Sequence, residues 1–309
     1  VDTTWAPGAG PYLVIGPLTV QAGVTLAIEP GTTVYFAPGA GLTVQGRLRA
    51  EGTDREHIRL TRQPGTAENW DSISFSDSGV ESRLTYVDFE SSGSGGPSID
   101  ANSAIIYLDH VTFAGTTSQY VSLDNSSFII RNSVFPTTAG VPLIRGNGLP
   151  AAGHGILEGN FFAATTGLND IIDFTGGQRP EAILQILNNV FSGASDDVLD
   201  LDGTDAHIEG NIFMHAHQTA STVDASSAIS GGKNGSNTSQ LVIVRNLFLD
   251  CDHIALAKEG NFYALINNTA LHLTKAGVAF DEPGRRLSDG VTPGRGAYLD
   301  GNILWDSTF

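Results

Sequence analysis

The most regular feature of the chain is a pattern of apolar and polar positions that returns every 22 residues or a little more. Within residues 204–213, an isoleucine stands three places before an asparagine, and a phenylalanine stands two places after it. The asparagine recurs at six places: Asn160, Asn189, Asn211, Asn246, Asn268 and Asn302. Their spacings are 29, 22, 35, 22 and 34 residues, so the basic repeat has 22 residues and some repeats carry insertions. Self-similarity of this kind indicates a repeat architecture.

Each repeat shows strand-like alternation of apolar and polar residues and no helical periodicity, which predicts β-strands. Rungs of a coil built from strands lie about 4.8 Å apart, so equivalent residues stack on each other. Stacked asparagine amides would hydrogen-bond along the axis, and stacked aromatic rings would fill the core. The predicted fold is all-β, a single-stranded right-handed parallel β-helix with inserted loops, with the handedness that parallel connections prefer. The aromatic column comprises Phe113, Phe135, Phe162, Phe191, Phe213 and Phe248.

A solenoid grows along one axis, so we expect one elongated domain over residues 1–309. It would have N-terminal rungs in 1–73 and about nine rungs in 74–309. Loops are predicted from residue 136 onward, each after an aromatic position, at 136–152, 163–180, 214–238 and 274–295. Loops on one side of a rigid coil usually carry function. The last rung shows no polar cap, so we expect further domains or chains to cover the C-terminal end.

The charge balance is strongly acidic, with 33 Asp and Glu against 16 Lys and Arg and a net charge of −17. This balance argues against nucleic acid or an anionic membrane as a partner. No apolar run reaches the roughly 18 residues of a membrane span. The acidic charge balance favours an extracellular or cell-surface protein that could bind calcium through clustered carboxylates. Cys251 is the single cysteine, which excludes an intrachain disulfide and predicts a buried small residue.

Two acidic segments, residues 169–176 and 196–203, match position for position. Strand alternation directs Asp173, Asp200 and Asp202 outward, with Asp173 and Asp200 about 5 Å apart on neighbouring rungs. Carboxylates this close repel unless they are protonated, hydrogen-bonded or bridged by a cation, so these three aspartates are the predicted calcium ligands. In the alternative interpretation, Asp196 and Asp197 cap loop N–H groups and the other aspartates are simply solvated.

Several short motifs carry resemblances to known β-helix proteins. The strands and glycine corners between residues 18 and 61 resemble the opening rungs of bacterial surface β-helix proteins. Aspartates on adjacent rungs resemble the groove of polygalacturonases, which implies hydrolysis by paired carboxylates. The Gly-His-Gly element of that family follows the aspartates, whereas Gly153-His-Gly155 precedes them here.

Lys233 and Lys258 lie on neighbouring turns, as do the catalytic residues of the chondroitinase B and alginate lyase type of β-helix. That resemblance implies a lysine base, an arginine on the adjacent rung, and calcium that neutralises a uronate. Lys258 stands where the arginine is expected, and the acidic residues expected before the first lysine are Ser226, Ser227 and Ala228.

The predicted function is that of a secreted or surface protein that binds an acidic polysaccharide and cleaves it by β-elimination. Lys233 would remove the proton α to the uronate carboxyl. The alternative is a non-catalytic structural or adhesive module of a larger surface protein or filament, since a fold does not determine function. The catalytic candidates are Lys233, Lys258, His215 and His217, and the substrate-binding candidates are Arg285, Arg286 and Arg145.

Overall fold

The computed structural model describes residues 1–116, 118–218, 226–280 and 292–307. The chain forms two compact units, residues 1–136 and 137–309. Strands dominate both units, and the described residues contain one short helix, the 3-10 turn Pro7–Ala9. No described helix has the length and apolar character needed to cross a membrane. The predicted β-solenoid is confirmed in each unit, since every rung contributes strands to parallel sheets.

The first unit contains three parallel sheets. One sheet has the strands Thr3–Trp5, Thr25–Ile28, Arg47–Glu51, Ser82–Thr85, Ile105–Asp109 and Ser127–Arg131. A second has Tyr12–Val14, Thr33–Phe36, Ile58–Arg62, Val87–Glu90, Thr112–Ala114 and Val134–Phe135. The third has Leu18–Val20, Leu42–Val44, Ile73–Ser76, Ile99–Asn102 and Val121–Asp124.

The second unit also contains three parallel sheets, here called faces A, B and C. Face A has the strands Gly155–Glu158, Leu184–Leu187, Ala206–Glu209, Gln240–Val244, Phe262–Ile266 and Gly296–Asp300. Face B has Phe161–Phe162, Val190–Phe191, Ile212–Met214, Leu247–Leu249, Thr269–Leu271 and Ile303–Trp305. Face C has Ile144–Asn147, Ile172–Thr175, Leu199–Asp200, Ser227–Gly231, His253–Ala257 and Val278–Ala279. Two small pairs are added: Thr138–Ala139 with Thr165–Thr166, and the hairpin Lys233–Asn234 with Asn237–Thr238.

The four segments predicted as inserted loops each contain a strand of face C. The strand Ile144–Asn147 falls within 136–152, and Ser227–Gly231 falls within 214–238. These strands escape the sequence pattern because their inward positions include small residues such as Gly146 and Gly231. The segments therefore combine regular rungs with shorter insertions.

Aromatic stacking fills the core as predicted. In the second unit Phe162, Phe191, Phe213 and Phe248 are buried, and neighbouring rings lie 4.9 Å apart in stacked geometry. In the first unit Trp70 stacks on Phe36 at 4.3 Å. Such contacts add about 0.5–1.5 kcal/mol per pair beyond the burial of apolar area. Cys251 is buried, and burial raises the pKa of its thiol to about 12.

The asparagine column forms the predicted ladder. The backbone N and the side-chain Nδ2 of Asn189 both donate to Oδ1 of Asn211, at 2.9 and 3.0 Å. Asn211 donates in the same way to Asn246. Each Nδ2 of this inner part also reaches a backbone carbonyl on the preceding rung, as Asn211 does with Ile186. The pattern repeats over all six members: Asn160, Asn189, Asn211, Asn246, Asn268 and Asn302.

Candidate functional site

The acidic segments lie on the outer side of face C. Asp173 and Asp200 are direct partners in the parallel ladder, so the predicted stacking of these two residues is confirmed. Their neighbours Ile172 and Leu199 are fully buried, as strand alternation requires. The outer column continues through consecutive rungs with Arg145, Asp173, Asp200, Ser230 and Leu256.

Arg145 and Asp173 form an ion pair at the start of this column. Arg145 Nε lies 3.2 Å from Asp173 Oδ2, and the arginine side chain is 67% exposed. Burial raises the pKa of Asp173, the Arg145 charge opposes this rise, and the charge of Asp202 adds to it. The predicted substrate-binding arginine is therefore next to a predicted metal ligand, and its guanidinium remains open to solvent.

A second acidic column lies three positions before the first. Asp170 Oδ1 accepts a hydrogen bond from the backbone N of Asp197 at 3.0 Å. Asp197 Oδ1 accepts one from the backbone N of Ser227 at 2.7 Å. Asp197 therefore caps a backbone N–H group, as the alternative interpretation of the sequence held. Carboxylate oxygens of Asp170, Asp196 and Asp197 all lie within 4.8 Å of one another.

Crowding and burial keep protons on this cluster. Burial, and then repulsion from Asp197, raise the pKa of Asp170 to about 9. Burial, and then repulsion from Asp196, raise the pKa of Asp197 to about 7. Burial and the Asp202 charge also raise the pKa of Asp200. A site that holds carboxyls with differently raised pKa values has the parts needed for acid and base chemistry.

Some polar atoms in this region have no hydrogen-bond partner within the protein. They are buried and belong to Asp200 Oδ1, Asp202 Oδ1, Ser227 Oγ and His253 Nε2. Buried polar atoms in folded proteins nearly always have a partner, so these atoms are positions where water, an ion or a ligand would bind.

The carboxylates of Asp202 and Glu259 both lie against the backbone of Gly232. A Cβ atom at this position would lie 2.3 Å from Asp202 Oδ1 and 2.9 Å from Glu259 Oε2. A side chain at this position would therefore have to displace the ends of both acidic side chains. Glu259 is thereby added to the acidic surface, where the sequence pattern had not placed it.

The two candidate lysines differ in their surroundings. The charge of Lys258 lowers the pKa values of Asp197 and Asp200 against the effect of burial, so Lys258 belongs to the acidic cluster. Lys233 begins an exposed hairpin, and its backbone N donates to Glu259 Oε2 at 2.8 Å. The structure therefore brings Lys258 into electrostatic contact with the aspartates, whereas Lys233 is exposed on the hairpin.

The remaining candidates lie elsewhere. His215 and His217 follow the face B strand Ile212–Met214 and pair with Asp250 and Asp252 of the next rung. Arg285 and Arg286 lie outside the described residues. Sequence reasoning gave Asp170 no role and missed His253. The match of 169–176 to 196–203 could have identified Asp170, because it aligns Asp170 with Asp197.

Comparison with known proteins gives limited similarity. No family model matches the chain. A stretch of 57 residues, 18% of this chain, is 46% identical to Protein bark beetle of Drosophila melanogaster, and it covers 2% of that protein. The chain thus matches only a small part of that relative's length.

Two solved structures match most of this chain at low TM-scores. An alginate lyase from Paenibacillus sp. str. FPU-7 has 15% identity and a TM-score of 0.44, over 89% of this chain and 92% of that one. A double mutant of the tailspike protein of an E. coli bacteriophage has 13% identity and a TM-score of 0.27, over 98% and 58%. The chain is a β-solenoid by its own parallel sheets, and its structural resemblance to a polysaccharide lyase is weak.

Proposed function

We propose that face C of the second unit binds an extracellular polysaccharide and cleaves it by β-elimination. Two observations together carry this proposal. The buried oxygens Asp200 Oδ1 and Asp202 Oδ1 have no hydrogen-bond partner within the protein, and the charge of Lys258 acts on Asp200. The outer column places Arg145, Asp173 and Asp200 on consecutive rungs, about 4.8 Å apart, and an extended sugar chain could follow such a row. A secreted or cell-surface location suits this substrate class.

Calcium fits the acidic cluster by the chemistry of the donors. Asp170, Asp196 and Asp197 present oxygens within 4.8 Å of one another, and Asp200 and Asp202 present unpartnered ones. Carboxylate oxygens are the ligands that calcium prefers. When bound, the ion would neutralise the carboxylate of a uronate, which the aspartates alone would repel. The predicted ligand set of Asp173, Asp200 and Asp202 thus extends to the column of Asp170 and Asp197.

We assign the base to Lys258 because it is the lysine that faces the cluster. With calcium bound at the cluster, the added positive charge would favour the amine form of Lys258, which would take the proton α to the uronate carboxyl. The electrons of that C–H bond form a double bond in the sugar ring, and the bond to the glycosidic oxygen on the adjacent carbon breaks. The leaving oxygen then takes a proton from solvent water, because a calcium ion at the cluster would keep Asp170 ionised.

Hydrolysis is the second candidate reaction, and the titration of the cluster favours it. Asp170 and Asp197 have oxygens within 4.8 Å and different raised pKa values. Retaining glycosidases use two carboxyl groups roughly 5 Å apart, one as acid and one as nucleophile. A non-catalytic surface module remains the third reading, since the same row of polar groups could bind a glycan without cleaving it.

One assay separates these outcomes. The protein is incubated with alginate, chondroitin, hyaluronan and pectin in the presence of calcium. A lyase creates an unsaturated uronate, so ultraviolet absorbance should rise in wild type and Lys233→Ala and should be lost in Lys258→Ala. New reducing ends without absorbance, lost in Asp170→Asn, would transfer the role to the paired carboxylates. Retention of a polymer without turnover would identify a binding module, and neither binding nor cleavage of these polymers would overturn the proposal.

A further inference from the structure

A second cluster of ligand-type side chains lies away from the aspartates, on the turn between faces B and C. His215 and His217 follow the strand Ile212–Met214, and Asp250 and Asp252 occupy equivalent places after the strand Leu247–Leu249. The two rungs are thus joined through their side chains as well as through the face B ladder.

One carboxylate lies between the two imidazoles. Asp250 Oδ2 is 2.9 Å from His215 Nδ1, and Asp250 Oδ1 is 3.2 Å from His217 Nε2. One ligand atom from each of the three residues lies within 4.8 Å of the others. Two imidazole nitrogens and a carboxylate oxygen at such separations can converge on a single ion.

His217 is oriented by a partner of its own. Its Nδ1 lies 2.9 Å from Asp252 Oδ1, and that oxygen also accepts a hydrogen bond from Thr274 Oγ1. If Nδ1 carries the proton that Asp252 accepts, the lone pair of His217 Nε2 is directed towards Asp250. Histidines that bind metals usually donate their other ring N–H to a carboxylate in this way, which fixes the tautomer and the ring orientation.

The cluster is accessible from solvent. The side chains of His215 and Asp250 are 60% and 46% exposed, whereas that of Asp252 is 11% exposed. His215 and Asp250 are therefore open, His217 is partly exposed, and the group that orients His217 is held inside.

We propose that His215, His217 and Asp250 bind a divalent transition metal ion such as zinc, with Asp252 positioning His217. Imidazole and carboxylate together suit zinc, nickel, copper or cobalt, whereas calcium takes oxygen ligands. Three protein ligands leave coordination positions for water or a ligand, which distinguishes this arrangement from a closed structural site. This site is separate from the acidic cluster of face C and does not depend on the proposed function.

The chain supplies a matched control on the next rungs. His272 Nδ1 lies 3.0 Å from Asp306 Oδ2, and His272 has a φ of 59°, close to the 52° of His215. Two places further on, where His217 follows His215, the chain has Thr274. The His272–Asp306 pair thus reproduces one half of the cluster without the second histidine.

The test is a titration of chelator-treated protein with zinc chloride by calorimetry, in excess calcium to occupy the carboxylates of face C. Wild type and His272→Ala should bind one equivalent with the same affinity, and His217→Ala should lose that binding. Asp252→Asn should weaken it by about 10–100-fold, the range seen when an orienting partner is removed. Cobalt in place of zinc should give an absorption spectrum typical of mixed nitrogen and oxygen ligands.

Two results would overturn the proposal: no zinc binding to wild type, or binding that persists in His217→Ala. Circular dichroism and the thermal midpoint in metal-free buffer show whether each variant is folded. His215→Ala provides a second variant if His217→Ala unfolds, because the His215 side chain is more exposed.

Discussion

Single asparagine side chains connect the rungs of the second unit in one direction. Each Oδ1 from Asn189 onward accepts both hydrogen bonds from the rung before it, and each Nδ2 up to Asn268 donates to the rung after it. Removing one amide therefore affects its two neighbours unequally. On the preceding rung, the backbone N and the Nδ2 of the asparagine both lose their acceptor. On the following rung, the asparagine Oδ1 loses the Nδ2 donor but keeps the backbone N donor.

Asn211→Ala tests this ladder. It leaves the buried backbone N of Asn189 without its acceptor, and an unsatisfied buried donor costs about 1–3 kcal/mol. We expect a loss of that size in the free energy of unfolding, measured with urea. Asn302→Ala is the matched control, because its bonds to Asn268 are only partly buried and water can replace them. Equal losses in the two variants would contradict the role of burial.

The elements of face C concentrate the titratable groups of the candidate site. The turns before the strands Ile172–Thr175 and Leu199–Asp200 carry Asp170 and Asp197, whose raised pKa values follow first from burial. Carboxyls with raised pKa values bind more protons in the folded state than in the unfolded state. Above the unfolded value near 3.9, these groups therefore lower stability as pH rises towards their folded values.

Stability in chelator should fall between pH 5 and pH 8 because of this linkage, and Asp170→Asn should reduce the fall, since the amide does not ionise. Urea unfolding of wild type and Asp170→Asn at several pH values measures the difference. Asp124→Asn, outside the acidic cluster, serves as the control and should keep the wild-type slope. An unchanged slope in Asp170→Asn would show that this carboxyl is not held neutral.

The sequence predicts the parts of the fold whose side chains are large or bear amides. Asn211 and Phe213 each align with an identical residue on the adjacent rungs, so the ladder and the aromatic stack follow from the spacing of these residues in the sequence. Asp173 and Asp200 were also aligned correctly, because the apolar residues beside them fix the inward side. The pairing of His215 with Asp250 was not foreseen, because 35 residues separate them and a variable segment intervenes. Lys258 could not be preferred over Lys233 without knowing which of them faces the aspartates.

At the scale of the whole molecule, the excess of acidic residues is the dominant property. The net charge of −17 favours cations in the surrounding solution and opposes the approach of anionic polymers. The acidic cluster of face C concentrates part of this charge. A cation bound there would reduce the local repulsion in the folded state.

Calcium should therefore raise the thermal midpoint of the protein. An ion that binds only the folded state stabilises it by about 2.7 kcal/mol at one hundred times its dissociation constant. Asp200→Asn should reduce this increment, because Asp200 Oδ1 is among the buried oxygens without a partner. Asp2→Asn, at an exposed position in the first unit, is the control and should keep it. Identical midpoints in chelator and in excess calcium would exclude a calcium site in the folded protein.

The asparagine ladder finally bears on the errors that the chain can make while it folds. A strand that docks one residue out of place turns its core side chains outward and buries an amide without a partner, so such slips are rejected. All six asparagines are chemically alike, however, and a strand that skips a whole rung finds an equally good partner. Only the connecting segments oppose that mistake, and the entropy of closing them changes slowly with length. Asn211→Ala should refold with a larger slow phase than wild type, because Asn189 then gains more by docking onto Asn246.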